Sequence, residues 1–169
     1  MQWKVIPIVT VLSLIVVAGV ASTTRTVHAD DRCIDVHGRI FTQETTENCA
    51  SPLGLCTVGH VSGAGPLDGA TTFLTLDAAP NAGMPGVEPA TSLSYSGHFT
   101  LTTQDGSILE SNDLGALDES ALLFVEMYRP LSGTGQFANW SGHLFSTGVI
   151  VDNVTAFEGE IHGVICTPQ

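Results

Sequence analysis

Residues 93–112 decide the fold of this chain, and they read LSYSGHFTLTTQDGSILESN. Two runs rich in β-forming residues, Leu93–Thr103 and Ser107–Asn112, lie on either side of the dipeptide Asp105-Gly106. Asp-Gly suits the positive φ angles of a type I′ turn, whose twist matches that of two neighbouring antiparallel strands. The stretch therefore predicts a β-hairpin within an antiparallel sheet.

The same alternation of short β-rich runs and glycines continues through the chain beyond residue 30. No long stretch shows the 3.6-residue apolar periodicity of an amphipathic helix. Six further strands are predicted at Ile34–Phe41, Cys56–Val61, Ala70–Asp77, Ala121–Tyr128, Gly142–Val151 and Ala156–Cys166. Eight short strands are typical of a β-sandwich or a small β-barrel. The proline-rich segment 80–89 and the acidic segment 113–120 are predicted as loops.

Residues 1–29 have the layout of a secretory signal peptide. The almost wholly apolar run Val5–Val20 is shorter than the roughly 20 residues that a membrane-spanning helix needs. Val27 and Ala29 place small residues at the −3 and −1 positions of a cleavage site. We expect cleavage after Ala29, which leaves 140 of the 169 residues as one exported domain, 30–169.

The mature chain is strongly acidic. It keeps three arginines, no lysine and all 17 acidic residues, which gives a net charge of −14. Such a charge repels nucleic acids and anionic membrane surfaces. We therefore expect neither nucleic acid nor, after cleavage, a membrane as a partner. The sequence carries no indication of an oligomeric state.

Four cysteines, Cys33, Cys49, Cys56 and Cys166, remain in the mature chain. An even number in an exported domain predicts two disulfides and an oxidising location, secreted, periplasmic or extracellular. The closest two are separated by six residues, which is wider than the spacing of zinc knuckles. Of the three possible pairings, a hairpin turning near residues 41–45 favours Cys33–Cys49, which leaves Cys56–Cys166.

The final two strands can be aligned residue by residue. Apolar patterning favours a register that sets Phe145 opposite Ile161 and Val149 opposite Phe157, because a one-residue slip exchanges the two faces. One face then carries His143, Phe145, Thr147, Val149, Phe157, Gly159, Ile161 and Ile165. This face is expected to lie inside, while the opposite face with Leu144, Ser146, Glu158, Glu160 and His162 is expected to meet solvent.

Residues 133–142 read GTGQFANWSG. This string resembles the G-[TA]-G-x-F-x-x-A-x-G signature of the allene oxide cyclase-like and dirigent-like β-barrels, and the segments 65–69 and 157–163 resemble the same families. The resemblance covers roughly residues 62–165 and is nearest to secreted bacterial relatives. It implies an eight-stranded antiparallel barrel with an apolar interior. Trp140 stands where the families have alanine, and we expect it to narrow the interior or one mouth.

Glu126 is the main candidate for chemistry because it lies in the most apolar run of the mature domain, Ala121–Arg129. Strand alternation puts it on one face with Phe124 and Tyr128, and puts Arg129 on the other. If Glu126 faces the barrel interior, the apolar surroundings favour its neutral form, and it can serve as a general acid or base. The alternative left open is that Glu126 points out to water or pairs with Arg129.

His143, expected on the inner face of its strand, is the second candidate catalytic residue. The predicted ligand-binding residues are Trp140, Phe145, Phe157 and Ile161. Histidines at 98, 143 and 162 raise the possibility of a metal, but the register places His143 and His162 on opposite faces. Neither a metal site nor a cofactor is therefore predicted. The absence of a Gly-x-Ser-x-Gly motif gives no support to serine hydrolase chemistry.

Three functions remain open. The favoured one is binding of a small apolar ligand inside the barrel. The alternatives are a cyclase or isomerase acting on an apolar substrate, as the resemblance implies, and a structural or interaction protein with a filled barrel. A cavity that contains Glu126 or His143 would favour the enzyme, a wholly apolar cavity would favour binding, and a filled interior would exclude both.

Overall fold

A computed structural model describes residues 32–80, 91–152 and 155–167. In these residues eight antiparallel strands form a closed barrel, in which each strand pairs with the next and the last pairs with the first. The strands are β1 (Arg32–Thr45), β2 (Cys56–Ser62), β3 (Gly69–Pro80), β4 (Ser92–Thr103), β5 (Ile108–Asp118), β6 (Leu123–Gly133), β7 (Ser141–Val151) and β8 (Ala156–Thr167). The predicted eight-stranded all-β barrel is confirmed.

Several predicted features lie outside the described residues: the signal peptide 1–29, nearly all of the 80–89 loop and the centre of the last turn at 153–154. The helical segments of the described part are two 3₁₀ turns, Gly65–Leu67 and Gly135–Phe137. None of its helices has the length and apolarity needed to cross a bilayer.

The hairpin at Asp105-Gly106 forms, but with a different turn from the predicted one. The Gly106 amide donates to the Thr103 carbonyl (3.0 Å), and the Thr103 amide donates to the Ser107 carbonyl (2.9 Å). Gly106 has a φ of 83°, whereas Asp105 is not among the residues with positive φ. A type I′ turn needs positive φ at both central residues. The chain instead reverses through a longer loop in which the Asp105 carboxylate accepts from the Ser107 amide (3.2 Å).

The predicted loop at 113–120 is wrong, because β5 continues to Asp118 and pairs with the start of β6. Asp113 and Gly115 point into the barrel, whereas Leu114 between them is 56% exposed. A carboxyl group inside the barrel and a leucine on its outer surface reverse the usual alternation of a half-buried strand. This reversal makes a regular strand resemble an acidic loop.

The interior is filled at one end of the barrel by a core of buried side chains. It consists of Val36, Ile40, Val61, Ala64, Leu67, Phe99, Leu101, Leu109, Tyr128, Leu131, Phe137, Leu144, Ile161 and Ile165. Phe137 is fully buried, and its ring meets that of Trp140 edge to face at 4.9 Å. Trp140 is half-buried and packs against this core, so it helps to close this end of the barrel.

The register predicted for the last two strands is wrong by one residue. Ile161 lies opposite Ser146, and Phe157 lies opposite Ile150. The predicted facing of β8 is correct, since Phe157 and Ile161 point inward and the glutamates at 158 and 160 are exposed. The predicted facing of β7 is wrong: Leu144, Ser146 and Ile150 are buried, and His143 and Phe145 lie on the outer surface. Both faces of β7 carry large apolar residues, so patterning alone does not distinguish them.

All four cysteines are paired, as predicted, but the favoured pairing is wrong. The bonds are Cys33–Cys166 and Cys49–Cys56. Barrel closure sets β1 beside β8 in a register that places Cys33 directly opposite Cys166. Cys49 and Cys56 then close the short loop that leads into β2.

The two disulfides should contribute unequally to stability. Cys33–Cys166 closes a separation of 133 residues and Cys49–Cys56 one of 7. Loop-closure entropy then predicts losses of about 5 and about 2.5 kcal/mol when each pair is replaced by serines. Urea unfolding of the two double-serine variants measures this order. Equal losses, or a greater loss for the short loop, would contradict it.

Candidate functional site

A cavity of about 100 Å³ opens at the barrel end opposite the filled core. We call it the mouth cavity. Its lining is mainly apolar and consists of Ile40, Thr42, Glu44, Leu55, Cys56, Thr57, Phe73, Thr75, Ala78, Leu93, Tyr95, Leu117, Phe124, Glu126 and Phe157. A cavity of about 150 Å³ in another protein holds one benzene ring. The mouth cavity is smaller than this but open at one side, so it suits a short alkyl chain or a ring that extends into the opening.

Glu126 lines this cavity and is held by hydroxyl groups of three strands. Its Oε1 accepts from the Tyr95 hydroxyl (2.7 Å). Its Oε2 accepts from the hydroxyls of Tyr128 (2.5 Å) and Ser146 (2.7 Å). The predicted alternation of β6 is confirmed, since Phe124, Glu126 and Tyr128 point inward and Arg129 is exposed. Three O–H donors thus hold the Glu126 carboxyl group in one position.

Tyr128, Ser146 and Glu126 form a triangle of oxygens. The Tyr128 and Ser146 hydroxyls also lie 2.9 Å from each other. Each hydroxyl has one proton to donate, so two protons serve three short contacts while Glu126 is ionised. A proton taken up by Glu126 would supply the missing donor. The triangle can therefore accept a proton at Glu126 without losing its hydrogen bonds.

Gly115 allows Tyr95 to reach Glu126. The barrel register places Tyr95, Gly115 and Glu126 side by side on β4, β5 and β6. A Cβ atom at Gly115 would lie 2.3 Å from the Tyr95 ring, which is far inside van der Waals contact. The missing side chain therefore lets the ring cross β5 to the carboxylate on the next strand.

Asp113 lies beside this group and was missed by sequence reasoning because it fell in the predicted loop. It is 3% exposed, and neither carboxyl oxygen has a hydrogen-bond partner among the described residues. It lies opposite Tyr128 in the register, which makes it a diagonal neighbour of Glu126. Burial, and next the charge of Glu126, raise the pKa of Asp113 to about 9. Asp113 therefore keeps its proton at neutral pH.

The two tyrosines remain hydrogen-bond donors throughout the physiological pH range. Burial, followed by the nearby charge of Glu126, raises the pKa of Tyr95 and of Tyr128 well above the ordinary value. Both phenols thus stay protonated, and the Glu126 carboxylate keeps its donors.

The structure brings together only some of the predicted site residues. Glu126 and Phe157 share the mouth cavity, whereas Ile161 lies in the filled core. His143 and Phe145 lie on the outer surface, away from the cavity, and their ring centroids are 5.5 Å apart. Trp140 lies at the closed end. Within the described residues no group of three or more His, Cys, Asp and Glu is placed to hold a metal ion.

Comparison with known proteins adds no further constraint. No protein-family model, curated protein or solved structure matches the chain. The interpretation of the site therefore depends on its geometry and chemistry.

Replacing Asp113 with asparagine should change the pH dependence of stability. In the unfolded chain Asp113 ionises near its ordinary value of 3.8, but in the folded chain it keeps its proton to about pH 9. Its effect is therefore to make folding less favourable as pH rises between these values, by up to roughly 1.4 kcal/mol per pH unit. Relative to the wild type, Asp113→Asn should gain stability across this window.

Chemical denaturation at a series of pH values measures this difference. Asp105→Asn is a control of opposite sign, because hydrogen bonds from Thr103 and then Ser107 lower the pKa of Asp105. The Asp105 carboxylate contributes stability above the ordinary pKa and loses it as pH falls, so this variant should lose stability relative to wild type as pH rises from acid. A stability difference for Asp113→Asn that does not vary with pH would contradict the buried, protonated state.

Proposed function

We propose that this barrel binds a small, largely apolar molecule in the mouth cavity, with Glu126 as its polar contact. The observation that carries the proposal is an apolar cavity into which one hydrogen-bonded carboxylate projects. Ligand sites are typically concave and apolar, with a few polar groups that fix orientation. A cavity at one end of the barrel argues against a purely structural, filled barrel.

A cyclase or isomerase that moves a proton is the second candidate. It is favoured by the carboxyl pair of Glu126 and Asp113, which holds a single exchangeable proton beside the cavity. Glu126 would take a proton from one carbon of the substrate and return it to another, so that the enzyme ends in its starting state. As Glu126 gains the proton, the Tyr95 hydroxyl would donate its hydrogen bond to the substrate oxygen on which negative charge develops.

We propose that the protein acts outside the cytoplasm. The two disulfides support an oxidising compartment, and the layout of residues 1–29 supports export. The strongly acidic composition agrees with a protein that stays soluble there without contact with nucleic acid.

Filling the mouth cavity should abolish binding. Ala78 lines the cavity, whereas its neighbour Ala79 is exposed on the other face of β3. Ala78→Phe places a ring inside the cavity, and Ala79→Phe adds the same ring outside. We expect benzyl alcohol to shift NMR signals of cavity residues such as Tyr95 and Phe157 in the wild type and in Ala79→Phe, but not in Ala78→Phe.

Two results would contradict the proposed site. One is that benzyl alcohol, short-chain alcohols and benzylamine all leave the cavity signals of the wild type unchanged. The other is that Ala78→Phe, folded with the same strand signals as the wild type, binds benzyl alcohol as the wild type does.

A further inference from the structure

The ionisable groups that line the mouth cavity are all acids. They are the carboxyls of Glu44 and Glu126 and the phenol of Tyr95. All three arginines of the described residues, at 32, 39 and 129, are exposed. The five described histidines lie on the outside of the barrel: those at 37, 60, 98 and 162 are exposed, and His143 is half-buried on the outer face of β7. No cationic side chain of the described residues therefore faces this cavity.

The charge of Glu126 is hydrogen-bonded but not neutralised. Three hydroxyls occupy three of the roughly four acceptor positions of a carboxylate, which leaves room for one more donor. Hydroxyl groups carry no net charge. A carboxylate partly removed from water gains most from a cation that meets it in a setting of low dielectric constant.

The rest of the molecule favours the same kind of ligand. A net charge of −14 on the mature chain, from three arginines, no lysine and 17 acids, attracts cations and repels anions. At the cavity, Phe73 and Tyr95 form an edge-to-face pair with centroids 5.9 Å apart. Aromatic faces attract ammonium groups through their quadrupole. An anionic ligand would meet two carboxylates there and no compensating positive charge.

We propose that the molecule bound in the mouth cavity is a small organic cation, a protonated amine on an apolar body, whose ammonium group binds the Glu126 carboxylate. This inference rests on the proposed function, since it names the class of ligand for the same site. The apolar walls receive the body of the ligand, which is about the size of one ring. Glu44, at the end of β1, adds a second negative charge at the rim.

Three probes that share one phenyl ring and differ in charge separate the effect of charge from that of apolar contact. They are benzylamine, benzyl alcohol and benzoate, used at neutral pH and low salt. We expect benzylamine to bind the wild type at least about tenfold more tightly than benzyl alcohol, and benzoate to bind most weakly. Glu126→Gln should remove the preference for the amine over the alcohol. Glu110→Gln, an equal loss of charge on an exposed residue near the opposite end of β5, should keep it.

The outcomes distinguish this inference from the proposed function. If benzyl alcohol binds in the cavity as tightly as benzylamine, or benzoate binds more tightly, the cationic ligand is wrong and the binding function stands. If none of the three probes binds, both are wrong. The wild-type comparison decides the class of ligand even if Glu126→Gln does not fold, and the variants decide whether Glu126 is its partner. An amine preference that Glu126→Gln keeps would overturn that role. An amine preference that Glu110→Gln removes equally would reflect overall charge, and would overturn the role of Glu126.

Discussion

The hydrogen bonds that the Glu126 carboxyl group accepts from the hydroxyls of Tyr95, Tyr128 and Ser146 are the interaction on which the mouth end of this barrel depends. The three donors come from β4, β6 and β7, so the group fixes the mutual positions of these strands at the mouth cavity. It places a negative charge in an apolar interior. Burial of Asp113, and next the charge of Glu126, keep a proton on the Asp113 carboxyl group.

The two ends of the barrel differ in what fills the interior. At one end Phe137, with the Trp140 ring against it, completes a core of apolar side chains. At the other end polar groups enter the interior, and Asp113 remains without a hydrogen-bond partner among the described residues. A buried carboxyl group that lacks partners makes folding less favourable. Its presence is readily understood if the site serves a ligand.

Local patterns predicted much of the fold and part of the site. The Asp-Gly hairpin and the shared face of Phe124, Glu126 and Tyr128 follow from turn chemistry and strand alternation, which act within a few residues. The register of β7 against β8 was missed because both faces of β7 carry large apolar residues. The Cys33–Cys166 bond depends on barrel closure, which local sequence does not encode. The position of Asp113 was not predicted, because its inward acid and the outward Leu114 reverse the apolar pattern by which a strand is recognised.

The central claim is that the buried carboxyl group of Asp113, beside Glu126, keeps its proton at neutral pH. The most direct test is ¹³C NMR of the side-chain carboxyl carbons of labelled aspartate and glutamate during a pH titration, with the Asp113 signal assigned by its loss in Asp113→Asn. The account predicts that the chemical shift of this carbon is that of a protonated carboxyl group at pH 7 and changes with a midpoint at about pH 9. A midpoint near the ordinary value of 3.8 would contradict it.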